Sequence, residues 1–219
     1  SLSSAPGDRG TIAITVKRHP GGRVSGFLHD RVRSGHILGL GQAAGRFVLP
    51  DPVPARLVLL TTGSGITPAM SIVRHLHARR ARTDLVLVHS CRDAADAVFG
   101  VELRARARVW PALRPRFVFT AESGRLDRAR LVALVPDWAE REAFVCGPAG
   151  FMAVVRSVWR DAGIEDRLRS ESFGGAAAAR PATGDAATVS CMRSGAVFRA
   201  SADRPLLVEA ERAGLRPRY

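Results

Sequence analysis

A glycine-rich turn between a buried strand and a helix is the strongest chemical signal in the sequence. It lies in LLTTGSGITPAMSIVRHL, at positions 59–76. Gly63 and Gly65 permit a close approach of the backbone, while Thr67 can cap the helix and Pro68 suits its first position. The free N–H groups and the positive dipole end of such a helix bind phosphate, so the pattern predicts a dinucleotide site. The third glycine of G-x-G-x-x-G is replaced by Pro68, which points away from the ordinary dehydrogenase version; the alternative is an ordinary strand-to-helix turn.

Two polar residues, Ser90 and Arg92, follow the next predicted strand. The adenosine ribose lies at this place in dinucleotide folds. An arginine fork pairs with a dianionic phosphate, whereas an acidic residue would hydrogen-bond a free 2′-hydroxyl. Arg92 therefore favours NADP. Asp93 keeps NADH open as the nucleotide, and an ordinary surface charge is the alternative for Arg92.

Cys146 ends an apolar strand and is followed by Gly147, Pro148 and a predicted helix that contains Phe151. Its simplest interpretation is a small buried hydrophobe, the commonest fate of a free cysteine. The Gly-Pro turn and the helix favour a functional interpretation instead.

No metal site is predicted. His75 and His77 are two residues apart on a predicted helix and face different directions. Cys91 and Cys191 have no partners at ligand spacing, so we interpret both as structural. The odd number of cysteines and the absence of a C-x-x-C pair favour a reducing, cytoplasmic setting.

Composition restricts the class of protein. The 219 residues are 46% hydrophobic and 24% charged, which indicates a globular chain of one or two domains. No apolar run approaches the roughly 20 residues of a membrane-spanning helix, and no signal peptide is visible. The net charge of +13 would suit a nucleic acid, but the arginines are scattered and aromatic residues make up only 6%. A non-catalytic protein that binds nucleic acid or anions is the rival from another class.

The elements that must position these residues alternate from residue 56 onward. Apolar runs of four to six residues alternate with amphipathic windows, which predicts a parallel sheet flanked by helices. The predicted strands are 56–61, 85–90, 116–120 and 143–147, with a last strand that ends at Phe173. The predicted helices are 68–79, 96–107, 127–135 and 150–162.

The flanking segments are simpler. Before residue 51 the pattern predicts strands near 11–17, 37–40 and 46–49, and a helix from Val24 to Val32 closed by Gly35. DPVP is interpreted as a linker. After Phe173 come a small, polar linker, then a hairpin with Cys191 inside its first strand, then a helix, LLVEAERAG. These last elements are too few to close a core.

The segment T-G-S-G-I-T-P resembles the pyridine-nucleotide loop of the ferredoxin–NADP reductase superfamily. Three further segments agree with that family in order and spacing. SLSSAP resembles the end of its flavin motif Arg-x-Tyr-Ser, with Ser1 as the serine, and VKRHPGGRVSGFLHD resembles the flavin-pyrophosphate segment, with a Gly-x-x-Ser turn at Gly22–Ser25. FVCGPAGFM resembles the Cys-Gly-Pro motif beside the nicotinamide, and the resemblance runs from about Ser1 to Phe173.

The resemblance implies a fold of class α/β plus β. ATVSCMRSGAVFRASADRPLLVEAERAGLRPRY looks like the first half of a plant-type [2Fe–2S] ferredoxin domain, whose cluster cysteines would begin just after Tyr219. A [2Fe–2S] centre is thus expected only in a longer chain, of which this is a fragment truncated at both ends. The implied domains are a partial antiparallel FAD-binding β-barrel (1–50), a Rossmann-like NAD(P)-binding α/β domain (55–173), a linker (174–187) and the start of a β-grasp ferredoxin domain (188–219).

The activity implied by the resemblance is electron transfer by a flavoprotein reductase. Hydride would pass from NADPH to FAD, and single electrons then to an iron–sulfur domain or ferredoxin that serves a di-iron desaturase or an oxygenase. A peripheral approach to a membrane-bound acceptor is compatible with this, and no nucleic-acid partner is implied. An NADH-dependent oxygenase reductase is the rival of the same chemistry.

The resemblance also assigns residues to the cofactors. Ser1, Cys146 and Glu171 would be catalytic. Lys17 and Arg18 would bind phosphate, with solvated strand-end charges as the equal alternative, and Phe173 would lie near the flavin ring or, equally, in the core. The full set of predicted cofactor contacts is Ser1, Lys17, Arg18, Gly22, Val24, Ser25, Gly63, Gly65, Thr67, Pro68, Ser90, Arg92, Cys146, Gly147, Pro148, Phe151 and Phe173.

Overall fold

A computed structural model of the protein describes residues 1–7, 10–41, 45–173, 186–192, 194–201 and 206–215. The chain forms two compact units, Ser1–Phe173 and Gly174–Tyr219. The predicted boundary between residues 50 and 55 falls inside the first unit, and nearly all of the predicted linker 174–187 lies outside the described residues. The four-part domain assignment therefore stays a prediction.

A five-stranded parallel sheet forms the centre of the first unit. Its strands are β1 (Arg56–Thr62), β2 (Asp84–Cys91), β3 (Leu113–Phe119), β4 (Glu142–Cys146) and β5 (Leu168–Glu171). Their spatial order is β3-β2-β1-β4-β5, so the chain starts in the middle and builds outward in both directions. This order creates a topological switch point at the carboxyl ends of β1 and β4, where open α/β sheets bind ligands.

Helices cover both faces of the sheet, which explains why its strands are continuous apolar runs. They are α2 (Ile66–Ala78), α3 (Gly100–Val109), α4 (Thr120–Ser123), α5 (Arg128–Leu134) and α6 (Ala149–Asp161), with 3-10 turns at Gly63–Gly65, Trp138–Glu140 and Glu165–Arg167. Leu57 and Leu59 of β1 pack in the core on the α2 side, while Val58 and Leu60 pack in the core on the α6 side. The predicted alternation of strands and helices is confirmed.

Helix α3 begins four residues later than predicted. Asp96 belongs to a turn in which its N–H donates to the Asp93 side chain at 2.8 Å. Phe99, just before the helix, has a left-handed backbone with φ of 60°. A helix cannot pass through such a residue, so it starts at Gly100.

The first fifty residues contain one helix, α1 (Arg23–Asp30), and an isolated antiparallel bridge between Leu2 and Ile14. The prediction of strands at 11–17, 37–40 and 46–49 is wrong, because these segments form no β-ladder within the described residues. An extended segment becomes a strand only when a neighbouring backbone pairs with it. The predicted helix end was also wrong. Helix α1 ends at Asp30, and Gly35, with φ of 90°, lies in a later turn.

The second unit contains the predicted hairpin and helix. They are β6 (Ala187–Ser190), its antiparallel partner β7 (Val197–Ala200) and α7 (Leu206–Arg212). Cys191 was predicted inside a strand but follows β6, where its N–H donates to the Ala196 carbonyl at 2.8 Å. Within the described ranges of both units, no helix is long and apolar enough to cross a membrane.

Candidate functional site

The turn after β1 and the turn after β4 are in close contact at the switch point of the sheet. A Cβ atom on Gly65 would lie 2.2 Å from the Cys146 carbonyl oxygen, and one on Gly147 would lie 2.5 Å from the Cγ2 atom of Thr62. Neither position can hold a side chain without moving backbone or a packed methyl group. The close approach predicted at Gly65 is therefore present, and it joins the turn after β1 to the turn after β4.

The start of α2 differs from the sequence prediction. The 3-10 turn Gly63–Gly65 takes up the first turn, and α2 begins at Ile66. Thr67 does not cap the helix; its hydroxyl donates to the Ser64 carbonyl at 3.1 Å. Pro68 is the third residue of α2 instead of the first, still within the turn where no backbone N–H is needed.

The three predicted catalytic residues come together at the ends of β4 and β5. Cys146 is directly opposite Glu171 in the strand register, and the Ser1 hydroxyl donates to the Glu171 carboxylate. Cys146 is fully buried. Burial, reinforced by the Glu171 carboxylate, raises the pKa of the Cys146 thiol to about 12. The thiol is thus neutral at pH 7, and it is not a nucleophile.

A cavity of about 200 Å³ opens beside the start of α2. Lys17 closes one side, with its ammonium 2.8 Å from the Asp96 carboxylate. This hydrogen bond outweighs burial and lowers the pKa of Asp96. The lining residues are Thr15, Val16, Lys17, Ser64, Thr67, Ala95, Asp96 and Val98. Lys17 thus lines the same cavity as Ser64 of the predicted phosphate loop, and its side chain is 47% exposed.

The two predicted ribose contacts lie in different environments. Ser90 is buried near the end of β2, only 3% exposed and in register with Thr62 of β1. Arg92 is on the surface, where its Nε donates to Asp93 at 3.1 Å. Asp96 accepts the Arg92 backbone N–H at 3.4 Å. The Arg92 side chain is 73% exposed, and its contact with Asp93 is through Nε alone, so its terminal nitrogens can still donate to a 2′-phosphate.

The predicted flavin-phosphate turn is held by local hydrogen bonds. Gly22 precedes α1, and a Cβ there would lie 2.5 Å from the Ser25 hydroxyl oxygen. The same hydroxyl accepts the His19 N–H at 3.1 Å. Arg18 forms a two-pronged ion pair with Asp30, at 2.8 and 2.9 Å. Arg18 is thus paired with Asp30 on the surface, where the two side chains are 60% and 46% exposed.

The apolar residues that were predicted to contact the cofactors differ in how exposed they are. Phe151 packs against Gly147, where an added Cβ would lie 3.0 Å from its ring, and Pro148 precedes α6. Val24 is 73% exposed and Phe173 is 45% exposed. The exposed ring excludes the core as the place of Phe173.

His89 is a candidate that the sequence analysis missed. It is fully buried, and its Nδ1 lies 2.9 Å from the Thr61 hydroxyl at the end of β1. Its Nε2 has no hydrogen-bond partner in the described part of the chain. Burial lowers the pKa of His89 to about 4, so the ring is neutral. The only signal in the sequence is one titratable residue in the apolar run LVLVHS.

Comparison with known proteins places this geometry in a family. Residues 59–157 match the oxidoreductase NAD-binding domain family. The chain is 42% identical, over 98% of its length and 57% of the relative, to an NADPH oxidoreductase of Mycobacterium tuberculosis. It is 35% identical, over 80% of its length and 50% of the relative, to a glycine betaine monooxygenase reductase subunit of Chromohalobacter salexigens.

A solved structure agrees with the fold. The FAD/NAD-binding domain of nitric oxide dioxygenase from Vibrio cholerae superposes with a TM-score of 0.70 at 26% identity, covering 80% of this chain and 76% of that one. The fold class α/β plus β is confirmed. The chain spans about half the length of the two curated relatives. The nucleotide-domain match, the relatives and the shared fold support the resemblance to the ferredoxin–NADP reductase superfamily.

Proposed function

We propose that this chain carries the NADPH-to-flavin step of an electron-transfer reductase, and that the step takes place at the carboxyl ends of β4 and β5. The observation that carries the proposal is the cluster of the Ser1 hydroxyl, the Glu171 carboxylate and the buried Cys146 thiol, two of which are opposite each other in the sheet. The cluster lies beside the Gly65 turn, which contacts the Cys146 carbonyl. Such chemistry needs position and electrostatics more than strong acids or bases.

The residues present fit a flavin. Phe173 offers an exposed aromatic face two residues after Glu171, and the Ser1 hydroxyl can exchange its hydrogen bond to Glu171 for one to a ring atom. The α1 turn at Gly22–Ser25 presents the first amides of a helix, which suit a phosphate. FAD, when bound, supplies an acceptor that takes a hydride and releases electrons singly.

The nicotinamide nucleotide would occupy the cavity and the two glycine turns. The Lys17 ammonium and the first amides of α2 supply positive charge for its phosphates. Gly65 and Gly147 let the turn after β1 pack directly on the turn after β4, and this contact fixes the backbone at Cys146, beside which the nicotinamide ring would lie. The protonated Cys146 sulfur can contact the nicotinamide without reacting with it.

NADPH is the proposed nucleotide, supported by Arg92 at the end of β2 and by the name of the mycobacterial relative. Because Asp93 already holds the Arg92 side chain, the preference over NADH should be moderate. We propose a one-electron acceptor of the oxygenase or desaturase type, reached through a [2Fe–2S] centre or ferredoxin. The oxygenase-reductase name of the second relative supports this class, and the hairpin with α7 is compatible with the start of a ferredoxin-like domain.

The nucleic-acid-binding rival has less support. It needs free, clustered arginines, whereas several arginines of the described chain pair with carboxylates, among them Arg18, Arg74 and Arg141. Paired arginines add little attraction for a phosphate backbone.

The test is anaerobic reduction of the flavin, with the chain at saturating FAD and with NADPH or NADH as reductant. The wild type should reduce the flavin faster at low NADPH than at equal NADH. Arg92→Ala should lower that preference by roughly tenfold, the value of one charge-assisted contact, while Arg18→Ala serves as the control for charge. Absence of reduction with either nucleotide would overturn the proposed function, and an unchanged preference in Arg92→Ala would overturn the assignment of Arg92.

A further inference from the structure

We propose that Arg74 is a positioning residue that holds the segment Ser1–Ser4 on helix α2 and so sets where the Ser1 hydroxyl stands beside Glu171 and Cys146. The inference rests on the proposed function, because it gives Ser1 a place at the flavin.

The Arg74 side chain joins three parts of the chain. Its Nη1 donates to the Ser3 carbonyl at 2.6 Å, while Nε and Nη2 donate to the Glu102 carboxylate of α3 at 2.9 and 2.6 Å. The guanidinium carbon lies 5.0 Å from the centre of the Phe99 ring. The two-pronged contact with Glu102 fixes the plane of the guanidinium and therefore aims its remaining donor at Ser3.

A second side chain of α2 holds the next carbonyl of the same segment. Ser71, three residues before Arg74 and on the same face of the helix, donates to the Ser4 carbonyl at 2.7 Å. Ser3 and Ser4 are only 1% and 8% exposed. On their other side, the Ser3 N–H donates to the Ala13 carbonyl at 2.8 Å, and the Ser4 hydroxyl accepts the Ala13 N–H at 3.0 Å. The segment is thus clamped between α2 and the chain at Ala13.

The clamp couples the two proposed cofactor sites. Helix α2 begins directly after the Gly63–Gly65 turn, so one rigid element carries both the nucleotide loop and the clamp. Ser1 is two residues from Ser3, and an extended chain advances roughly 3.3 Å per residue, so a shift of Ser3 reaches Ser1. Hydride transfer is sensitive to misplacements on the order of 1 Å.

Arg106 provides a matched control. Its Nε donates to the same Glu102 carboxylate at 2.9 Å, and its Nη1 lies 2.8 Å from His77. Among the described residues, Arg106 has no hydrogen bond to the segment Ser1–Ser4. Arg74→Met and Arg106→Met therefore each remove one cation from the same carboxylate, but only the first releases Ser3.

The first test measures amide hydrogen exchange in the chain without flavin. In Arg74→Met, exchange at Ser3 and Ala13 should be faster by about tenfold, the effect of losing one charged hydrogen bond. Ser71→Ala should act at the same amides to a smaller extent, and Arg106→Met should leave them unchanged. Equal exchange in Arg74→Met and Arg106→Met would overturn the clamp.

The second test measures flavin reduction at saturating FAD and NADPH. Arg74→Met should lower the maximal rate by about tenfold with little change in the KM for NADPH, and Arg74→Lys, which keeps one donor for Ser3, should recover part of it. A maximal rate equal to that of Arg106→Met would overturn the positioning role. If the wild type and both variants fail alike to reduce flavin, the proposed function and the link to the flavin fall together, while the exchange comparison still decides whether Arg74 holds the segment.

Discussion

Different interactions stabilise the two ends of the parallel strands, the amino ends and the carboxyl ends. At the amino ends of the strands, Arg141 is fully buried and donates to the carboxylates of Asp84 and Asp137 at 2.8 and 2.6 Å. It also donates to the carbonyls of Leu57 and Asp84 at 3.2 and 3.1 Å. Arg114 is a second cation on Asp84, so two arginines pair with two carboxylates. The hydrogen bonds of Arg141 tie β1, β2 and the chain before β4 into one unit.

At the carboxyl ends, the ion pairs Lys17–Asp96 and Arg92–Asp93 are partly exposed, and the turns after β1 and β4 are joined by close backbone contact instead. Gly65 and Gly147 bring two turns together, Cys146 is a neutral buried thiol, and His89 leaves one buried nitrogen without a partner among the described residues. The amino ends pair the buried Arg141 with carboxylates, whereas the carboxyl ends retain the His89 nitrogen and a cavity that a ligand can use. Ligand binding belongs at the second end, as the switch-point rule predicts.

The largest effect on stability is expected from Gly65→Ala, which disrupts the contact between the two turns at the carboxyl ends of the strands. The new methyl group would lie 2.2 Å from the Cys146 carbonyl oxygen, so the two turns must separate. We expect the free energy of unfolding to fall by about 3 kcal/mol, the upper range for overpacking, together with loss of nucleotide binding. Urea unfolding and nucleotide titration measure the two losses.

Gly63→Ala is the control for this substitution. Gly63 has φ of 54° but open space around its Cβ position, so only the left-handed backbone opposes the methyl group. The expected cost is about 1 kcal/mol. A loss as large for Gly63→Ala as for Gly65→Ala would contradict the importance of the close contact.

The second expected effect is a pH dependence of stability whose range differs between the carboxyl and the amino ends of the strands. His89 is neutral when folded because burial lowers its pKa from 6.5 to about 4, a shift opposed by Asp96 and assisted by Lys17. The unfolded chain therefore takes up a proton first, so stability is complete above pH 6.5 and falls toward pH 4, by roughly 3 kcal/mol. His89→Gln should remove this slope, whereas His36→Gln, at an exposed position, should keep it.

At the amino ends of the strands, stability also falls as the pH falls, but it does so over a lower pH range. Hydrogen bonds from Arg141 lower the pKa of Asp137. For Asp84, burial raises the pKa, but the hydrogen bonds and charges of Arg141 and Arg114 together outweigh it and lower the pKa. Their contribution is present above the ordinary value of 3.8 and is lost as the pH falls through the lowered values. A loss of stability in wild type confined to the region below pH 4 would contradict the role of His89.

A smaller loss of stability than for Gly65→Ala is expected from Arg141→Met. The two carbonyls would lose their donor inside the sheet, but the Asp84 and Asp137 side chains are 39% and 36% exposed and can return to water. We expect the free energy of unfolding to fall by about 2 kcal/mol with the nucleotide affinity unchanged. A selective loss of nucleotide affinity, without loss of stability, would contradict the division of roles between the two ends.

Much of the carboxyl end could be predicted from the sequence. Gly65 and Cys146 stand at the ends of apolar runs, and the order of the runs predicts a parallel sheet. The family resemblance predicted that Ser1, Cys146 and Glu171 belong to one site. Composition and spacing do not indicate this contact. Such pairings depend on strand register and on segments 170 residues apart in the chain.

The rest required three-dimensional contacts. Arg141 is one arginine among many in the sequence, and only its burial between two carboxylates gives it a role. Arg18 and Lys17 are neighbours of equal charge, yet one pairs with Asp30 and the other faces a cavity across from Asp96. The strands predicted in the first fifty residues failed for the same reason, because alternation predicts an extended chain but not the presence of its partner.

The most direct test of the central claim compares two buried cysteines in single-turnover reduction of the flavin by saturating NADPH. Cys146 lies at the proposed site of hydride transfer, whereas Cys91 ends β2, with its Sγ 3.3 Å from the Asp93 carbonyl oxygen. Cys146→Ala should lower the reduction rate by about tenfold or more through misplacement of the nicotinamide, and Cys91→Ala should leave the rate within about twofold of wild type. Equal rates for the two variants would contradict the placement of hydride transfer at the carboxyl ends of β4 and β5.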